Sequence, residues 1–224
     1  ARMRRLRFAA DRRCFAVAHG LLRTALSRCV PDVPPRAWRF RVGRYGRPEI
    51  GGPAAGAGVR FNLSHTAGLA AVVVAREMDC GVDVETAGRT VDVLRVARGV
   101  LAPEELTELL AVAPAGRRSG FLRYWTLKEA YAKARGLGMR LPFDRIRFDL
   151  RDGIRLSVDA GLGDTGTGWQ FAQWSPLDGA VLALALRRGA GPDRRVVLHD
   201  LIGHDGGVAP APPAQPAPWW GWAS

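Results

Sequence analysis

Apolar side chains recur at intervals of three and four positions between Ala9 and Cys29, for example at Phe15, Ala18 and Leu22. This spacing places them on one face of an amphipathic helix. Prolines begin at Pro31 and cannot continue a helix, so the helix is expected to end before them. The pattern therefore predicts a long first helix with one face against a core.

Shorter apolar segments follow, and their alternation favours β-strands. Trp38, Phe40 and Val42 alternate with arginines, which is typical of a half-buried strand. The segment Leu69–Arg76 is apolar enough to predict a central strand of a sheet. Strands are predicted at 59–62, 69–76, 80–85, 145–150, 154–158, 169–174 and 181–186, and further helices at 91–100, 103–112 and 120–135.

The order of these elements predicts an α+β fold with antiparallel sheets, because strands and helices do not alternate regularly as in a parallel sheet. A helix followed by several strands occurs twice, which permits two pseudo-duplicated halves. We place the N-terminal half at residues 1–110 and the C-terminal half at 111–205. Residues 206–224 form a Pro/Trp-rich tail with too few packable side chains to build a core.

Composition narrows the functional classes. With 47% hydrophobic and 24% charged residues among 224, the chain can bury a sizeable core. The three cysteines lack metal-finger spacing, which indicates reduced thiols in a cytoplasmic protein. Apolar runs are too short to span a membrane. The formal net charge of +12 favours phosphate-rich ligands, acidic proteins or nucleic acid as partners.

The segment GVDVE contains two carboxylates that share one face of a predicted strand. Asp83 and Glu85 are two positions apart, so both point away from the face of Val82 and Val84. Neighbouring carboxylates repel each other unless water or a cation screens them. The pair is therefore either a solvated sheet edge or a site for a divalent cation, for which oxygen ligands favour Mg²⁺ over zinc.

The helix segment WTLKEAYAK contains both lysines of the chain, Lys128 and Lys133, on either side of Glu129. Glu129 shares a helix stripe with Trp125 and Ala132, which would ordinarily face a core. It either pairs with Lys133 one turn later, which is common on helix surfaces, or binds a metal from a partly buried position.

Two further segments, RYGRP and FNLSHT, combine polar side chains with turn-forming residues. Asn62, Ser64 and His65 are expected in a turn after a strand, where they either bond local backbone or contact a ligand. Arg47 lies in a basic turn next to Pro48. Each of these segments is a weak signal by itself.

The motifs occur in the order YGRP, FNLSH, GVDVE and WTLKEAYAK. This series resembles that of the Sfp-type 4'-phosphopantetheinyl transferases, which reads approximately YGKP, FNxSH, (I/V)G(I/V)D(I/V)E and WxxKEAxxK. The resemblance covers residues 5–150, and the last two motifs at this separation are specific. Members usually begin with a strand ahead of the first helix, so we expect that a leader is missing from this chain.

The resemblance implies transfer of the 4'-phosphopantetheine arm of coenzyme A to a serine of an apo acyl or peptidyl carrier protein, with release of adenosine 3',5'-bisphosphate. It also implies a cytoplasmic monomer of two similar halves, each a long helix packed on a small, mostly antiparallel sheet, with the site between them. Mg²⁺, or alternatively Mn²⁺, would be held by Asp83, Glu85 and Glu129. Glu129 would act as general base, with Lys133 as the second catalytic residue.

The same resemblance assigns a set of residues to coenzyme A and its phosphates. It also places the carrier against residues 91–101, where Leu94, Val96 and Val100 are either carrier contacts or plain core. The residues assigned to coenzyme A are Arg5, Gly46, Arg47, Asn62, Ser64, His65, Asp83, Lys128 and Lys133.

Two other functions compete with this one. A non-catalytic nucleic-acid-binding domain would use the many arginines, but aromatic residues are not interleaved with them as a stacking platform requires. Another Mg²⁺-dependent nucleotide-processing enzyme could use the same three carboxylates. The sequence does not distinguish carriers of fatty acid, polyketide or peptide synthesis.

Overall fold

The computed structural model describes residues 9–43, 45–88 and 92–199. The described residues up to Gly191 belong to one compact unit, and those from Pro192 belong to a second, in which residues 192–199 contain no helix or strand. Arg5 and the predicted tail at 206–224 lie outside the described residues. The predicted division into halves at residue 110 remains a prediction.

The described chain contains four α-helices close to the predicted positions. The fourth helix is terminated by its C-cap residue Gly136, whose left-handed φ of +68° favours glycine. The second helix is preceded by its N-cap residue Asp92, whose side chain accepts a hydrogen bond from the Arg95 amide. The helices are α1 (Ala9–Cys29), α2 (Val93–Val100), α3 (Pro103–Ala111) and α4 (Arg117–Arg135).

Nine described strands form four small sheets, and every pairing is antiparallel. The sheets have the orders β1-β2, β3-β4, β5-β9-β8 and β6-β7. This arrangement confirms the predicted α+β fold. The strands are β1 (Arg39–Val42), β2 (Pro48–Gly51), β3 (Val59–Thr66), β4 (Leu69–Arg76), β5 (Cys80–Thr86), β6 (Ile146–Asp149), β7 (Arg155–Val158), β8 (Trp169–Trp174) and β9 (Ala180–Arg187).

Two local predictions about the strands are wrong. Strand β3 continues to Thr66, so Asn62, Ser64 and His65 lie in a strand and not in a turn. Pairing with β4 over the whole length of β3 supplies the backbone hydrogen bonds that local sequence did not reveal. The predicted central strand β4 pairs only with β3 in the described chain, whereas β9 lies between β5 and β8.

The structure contains two layers, each a long helix over an antiparallel sheet, as the resemblance implied. Helix α1 packs on β3 and β4, and Leu22 and Leu26 meet Trp38 and Phe61 in a small core. Helix α4 packs on β5 and β9 and forms a larger core around Leu127. Burial of these apolar faces is the main stabilising term of both layers.

Strands β3 and β5 lie side by side without a backbone ladder between them. The side chain of Asn62 accepts a hydrogen bond from the Val82 amide at 3.0 Å. Two residues further along both strands, the Ser64 hydroxyl accepts one from the Val84 amide at 3.3 Å. Because the second contact lies two residues further along both strands, β3 and β5 run in the same direction. Polar side chains of β3 join them.

Candidate active site

Strand β5 approaches helix α4 so closely that only glycine fits at position 81. A Cβ atom there would lie 2.0 Å from the Ala130 carbonyl oxygen and 2.5 Å from the Ala134 amide nitrogen. Alternate residues of a strand share a face, so Asp83 and Glu85 point towards the same helix. The two carboxylates therefore do not lie on a solvated sheet edge. This excludes one of the two alternatives that the sequence left open for them.

Asp83 is buried, with 4% of its surface exposed. Its Oδ1 atom accepts hydrogen bonds from the Ser64 hydroxyl at 2.8 Å and from Lys133 Nζ at 2.6 Å. Its Oδ2 atom is also buried but has no hydrogen-bond partner among the described residues. Such a group costs free energy when it remains unsatisfied, which is characteristic of a ligand-binding position.

Glu129 faces the same cluster from helix α4. Burial raises the pKa of its carboxyl above the usual value, the nearby Asp83 and Glu85 carboxylates raise it further, and the Lys133 ammonium opposes them. The common alternative, an ion pair with Lys133 along the helix, is not formed: the lysine lies against Asp83 instead. The structure thus brings Asp83, Glu129 and Lys133 together, with Glu85 near enough to influence them.

Glu85 is held by a contact that the sequence analysis missed. The Thr66 hydroxyl at the end of β3 donates a hydrogen bond to Glu85 Oε2 at 3.2 Å. Thr66 belongs to the segment FNLSHT. A prediction that extended the strand through the whole of this segment would have indicated the contact. Both carboxylates of β5 are therefore supported by hydroxyl groups of β3.

The chemistry of this cluster fits a hard divalent cation, although the side chains do not form an assembled metal site. Within residues 9–43, 45–88 and 92–199, no three Asp, Glu, His or Cys side chains are arranged to hold a metal ion. Asp83 Oδ2 has no partner among the described residues, and the pKa of Glu129 is raised by burial and then by repulsion from the Asp83 and Glu85 carboxylates. The missing partner and this repulsion both favour a cation there. The metal prediction for Asp83, Glu85 and Glu129 therefore remains a prediction.

Lys128 does not lie at this cluster, and its assignment to a phosphate is corrected. Its side chain is fully buried on another face of α4, where Nζ forms an ion pair with Glu105 Oε2 at 2.7 Å. The same ammonium donates hydrogen bonds to the carbonyls of Phe143 and Ile146. An ammonium with its three donors engaged in the core cannot reach a ligand at the β5 face of the helix.

Arg47 connects the turn after β1 to the start of β5 and the end of α4. Its guanidinium donates to the carbonyls of Ala134 at 2.8 Å and Cys80 at 3.2 Å. Next to it, Gly46 has a φ of +84°, a conformation that favours glycine. Arg47 thus joins the turn between β1 and β2 to the layer formed by β5 and α4. A phosphate contact by Arg47 or Gly46 remains a prediction.

The other predicted site residues occupy different environments. Ser64 and Asn62 are buried between β3 and β5, whereas His65 is exposed on the opposite side of β3. Leu94, Val96 and Val100, proposed as either carrier contacts or core, are half-buried and pack against the larger core around Leu127. The alternative in which they are core residues is therefore supported.

Two structural residues were missed in the sequence. Gly81 permits the close approach of β5. Ala130 and Ala134, one turn apart on the facing side of α4, could have indicated a tight strand–helix contact. Glu105, the partner of Lys128, accepts a hydrogen bond from the Ala102 amide at 2.8 Å. A glutamate two positions after a helix-starting proline is a recognisable cap, but its burial is not a local property.

Sequence comparison identifies relatives of this chain. Residues 79–185 match the profile of the 4'-phosphopantetheinyl transferase superfamily. The 4'-phosphopantetheinyl transferase HetI of Nostoc sp. strain PCC 7120 is 32% identical over 187 residues, which span 83% of this chain and 76% of the relative. A 4'-phosphopantetheinyl transferase of Bacillus subtilis is 31% identical over 140 residues, 62% of this chain and 59% of that protein.

A solved structure, holo-[acyl-carrier-protein] synthase of Thermotoga maritima, aligns with 22% identity and a TM-score of 0.41 over 50% of this chain and 64% of its own.

The sequence relatives define the class: this is an enzyme, a group transferase. The chain belongs to the 4'-phosphopantetheinyl transferase superfamily. None of the helices in the described residues is long and apolar enough to cross a membrane.

Proposed function

We propose that this protein transfers the 4'-phosphopantetheine arm of coenzyme A to a serine of an apo acyl or peptidyl carrier protein. The observation that carries the proposal is the cluster of Asp83, Glu129 and Lys133 between β5 and α4, in which Asp83 Oδ2 is buried and has no partner among the described residues. This cluster is formed by the two motifs that match the family most specifically. Two relatives of this chain, HetI and the Bacillus subtilis protein, are named for this activity.

In the proposed reaction, the serine oxygen forms a bond to the phosphorus next to the pantetheine arm, and the bond from that phosphorus to the adenosine 3',5'-bisphosphate oxygen breaks. The serine proton must leave during this attack, and Glu129 is the group that accepts it. Its raised pKa makes the carboxylate a stronger base than an exposed glutamate. Lys133 holds positive charge where the phosphates would lie.

Asp83, Glu85 and Glu129 are the residues that would hold Mg²⁺ or Mn²⁺. A divalent cation there would supply charge neutralisation for the pyrophosphate of coenzyme A. Among the described residues, Asp83 and Glu129 share one neighbouring ammonium, that of Lys133. Two carboxylates beside one ammonium would repel an anionic substrate, so we expect the reaction to depend on the metal.

The charge of the whole protein supports the same substrates. A net charge of +12 raises the local concentration of coenzyme A and of an acidic carrier through long-range attraction. We also propose that the protein acts as a monomer, because Asp83, Glu129 and Lys133 come together within one chain. We place it in the cytoplasm because its three cysteines lack the spacing of a disulfide or metal framework.

The direct test is incubation of the protein with coenzyme A, Mg²⁺ and an apo carrier protein, followed by intact mass measurement of the carrier. We expect the mass of one phosphopantetheine group to be added, and to be lost with Asp83→Ala or Glu129→Ala. Asp152→Ala is a matched control, because Asp152 is an exposed carboxylate in a surface ion pair.

Omission of Mg²⁺ with addition of a chelator should also abolish the adduct. Failure of the wild-type protein to modify acyl and peptidyl carriers would contradict the proposal. If that failure came with tight RNA or DNA binding that weakened steeply with salt, a nucleic-acid-binding function would replace it.

A further inference from the structure

The hydroxyl group of Ser64 uses all of its hydrogen-bonding capacity inside the protein. It accepts hydrogen bonds from the Val84 amide at 3.3 Å and from Lys133 Nζ at 2.9 Å. It donates its own proton to Asp83 Oδ1 at 2.8 Å. A serine hydroxyl has one donor and two acceptor lone pairs, so nothing remains for a further ligand.

These contacts fix the direction of the hydroxyl proton. The two groups that Ser64 accepts from, an amide and an ammonium, can only donate. Asp83 is therefore the only one of its three partners that can receive the Ser64 proton. The Val84 amide belongs to the strand that carries Asp83, which ties the position of the hydroxyl to the backbone next to the carboxylate.

The two oxygens of Asp83 differ as a result. Oδ1 receives two donors, Ser64 and Lys133, whereas Oδ2 is buried and receives none among the described residues. Rotation of the carboxyl would break both contacts at Oδ1. The side chain is thus held with one particular oxygen left for a ligand.

We infer that Ser64 is a positioning residue, which holds Asp83 through Oδ1 and thereby reserves Oδ2 for the divalent cation. This inference rests on the proposed function, because it assigns the cation to the same cluster. The expected contact between Ser64 and a phosphate of coenzyme A remains a prediction, and the hydroxyl could donate to a phosphate only by releasing Asp83. Loss of a partner that orients a metal ligand in this way typically lowers metal affinity by about 10- to 100-fold.

Asn62 provides a matched control for the test. The side chains of Asn62 and Ser64 both join β3 to β5 by accepting a hydrogen bond from a backbone amide of β5, and both residues are 7% exposed. Only Ser64 also contacts Asp83. A loss of metal affinity that results merely from weakening the contact between β3 and β5 should appear in both variants. A loss of metal affinity that results from misplacing Asp83 should appear in Ser64→Ala alone.

The experiment is a titration of the purified protein with Mn²⁺ alone, in which free Mn²⁺ is measured by electron paramagnetic resonance. For Ser64→Ala we expect the Kd to rise about 10- to 100-fold, the usual effect of losing a partner of a metal ligand. Asn62→Ala should keep the wild-type Kd, although its unfolding midpoint falls. Ser64→Thr, which retains the hydroxyl, should recover most of the affinity.

An equal rise of the Kd in Ser64→Ala and Asn62→Ala would overturn the inference, as would an unchanged Kd in Ser64→Ala. If Ser64→Ala does not fold, Ser64→Cys takes its place, because a thiol keeps the volume but is a weak donor. The carrier assay runs in parallel to separate the two proposals. A wild-type protein that forms the adduct while Ser64→Ala keeps its Mn²⁺ affinity contradicts this inference alone, whereas a wild-type protein that forms no adduct contradicts the proposed function.

Discussion

Lys128 Nζ lies 2.7 Å from Glu105 Oε2, and the exposed fractions of the two side chains are 0% and 1%. Glu105 also accepts hydrogen bonds from the Phe148 amide at 2.7 Å and from the Ala102 amide. Burial raises the pKa of Glu105 and lowers the pKa of Lys128, and in each case the charge of the partner opposes the effect of burial. The pair connects α3, α4 and β6 in the core next to the candidate site.

Lys128→Met should destabilise the protein strongly, because it leaves the Glu105 carboxyl buried without its cation. Removal of one partner of a buried ion pair costs about 3–5 kcal/mol. The measurement is the free energy of unfolding from urea denaturation. Replacing both partners, Lys128→Met with Glu105→Leu, should restore only part of the loss, because the double variant also leaves the buried Phe148 amide without an acceptor. Wild-type stability of the single variant would show that the pair is unimportant.

Gly81→Ala should disrupt the contact between β5 and α4. The added Cβ would meet backbone atoms at 2.0 Å and 2.5 Å, and backbone cannot rotate away as a side chain can. We expect a loss of about 3 kcal/mol or more in the free energy of unfolding, the upper range for overpacked cores. The adduct in the carrier assay should fall as well, because Asp83 moves with the strand.

The control for Gly81→Ala is the same substitution at Gly20. This glycine lies on the exposed face of α1 with no heavy atom within 4 Å of the added Cβ. Alanine favours a helix interior, so Gly20→Ala should raise the free energy of unfolding by about 0.5–1 kcal/mol. Equal effects at the two positions would contradict the steric explanation for Gly81.

Lys133→Ala should reduce the rate of carrier modification by at least about 100-fold, the usual effect of removing a group that stabilises transition-state charge. The substitution removes an ammonium that lies against Asp83 Oδ1, Ser64 and the Val82 carbonyl. Lys133→Arg should rescue the rate poorly, because a planar guanidinium does not fit where three acceptors surround a compact ammonium. Single-turnover kinetics with saturating coenzyme A measure both variants.

Arg145→Ala is the control for Lys133. Arg145 forms an exposed ion pair with Asp159, which contributes little to stability or to the site. Its variant should keep the wild-type rate. If Lys133→Ala also kept the wild-type rate, the charge at this position would have no part in transfer.

Cys80 should resist alkylation in the folded protein, whereas Cys14 and Cys29 are only partly buried. Burial raises the pKa of the Cys80 thiol to about 12, and the nearby Arg47 opposes this effect. Only about one thiol in several thousand is then ionised at pH 8.5, and the thiolate is the reactive form. Mass mapping after iodoacetamide treatment should find Cys80 modified only when urea is present.

The protein should also lose stability at alkaline pH. The pKa of Cys80 and that of Tyr131 are each raised to about 12 by burial, above the ordinary values of 9.0 and 10.0. Groups with raised pKa values stabilise the fold below the unfolded pKa and lose that contribution as the pH rises through the folded pKa. Thermal unfolding temperatures should therefore fall between pH 9 and pH 12. A constant unfolding temperature over this interval would contradict the burial of both groups.

Local periodicity was sufficient for much of the secondary structure. Helix α1 begins and ends at the predicted residues, and α4 ends at Gly136 as its left-handed conformation requires. These features depend on neighbours in the chain, which the sequence displays. The extension of β3 to Thr66 depends on pairing with β4, and its polar residues concealed a strand because they face β5 rather than water.

The sequence by itself determined the family, the order of the motifs and the pair of carboxylates on β5, because these depend on residue type and spacing. Only the tertiary structure decided which lysine belongs to the site. Five positions along a helix correspond to a rotation of about 140°, so the two ammonium groups point to different surroundings. Lys128 faces Glu105 in the core and Lys133 faces Asp83, and that choice depends on the elements that pack against each side of α4.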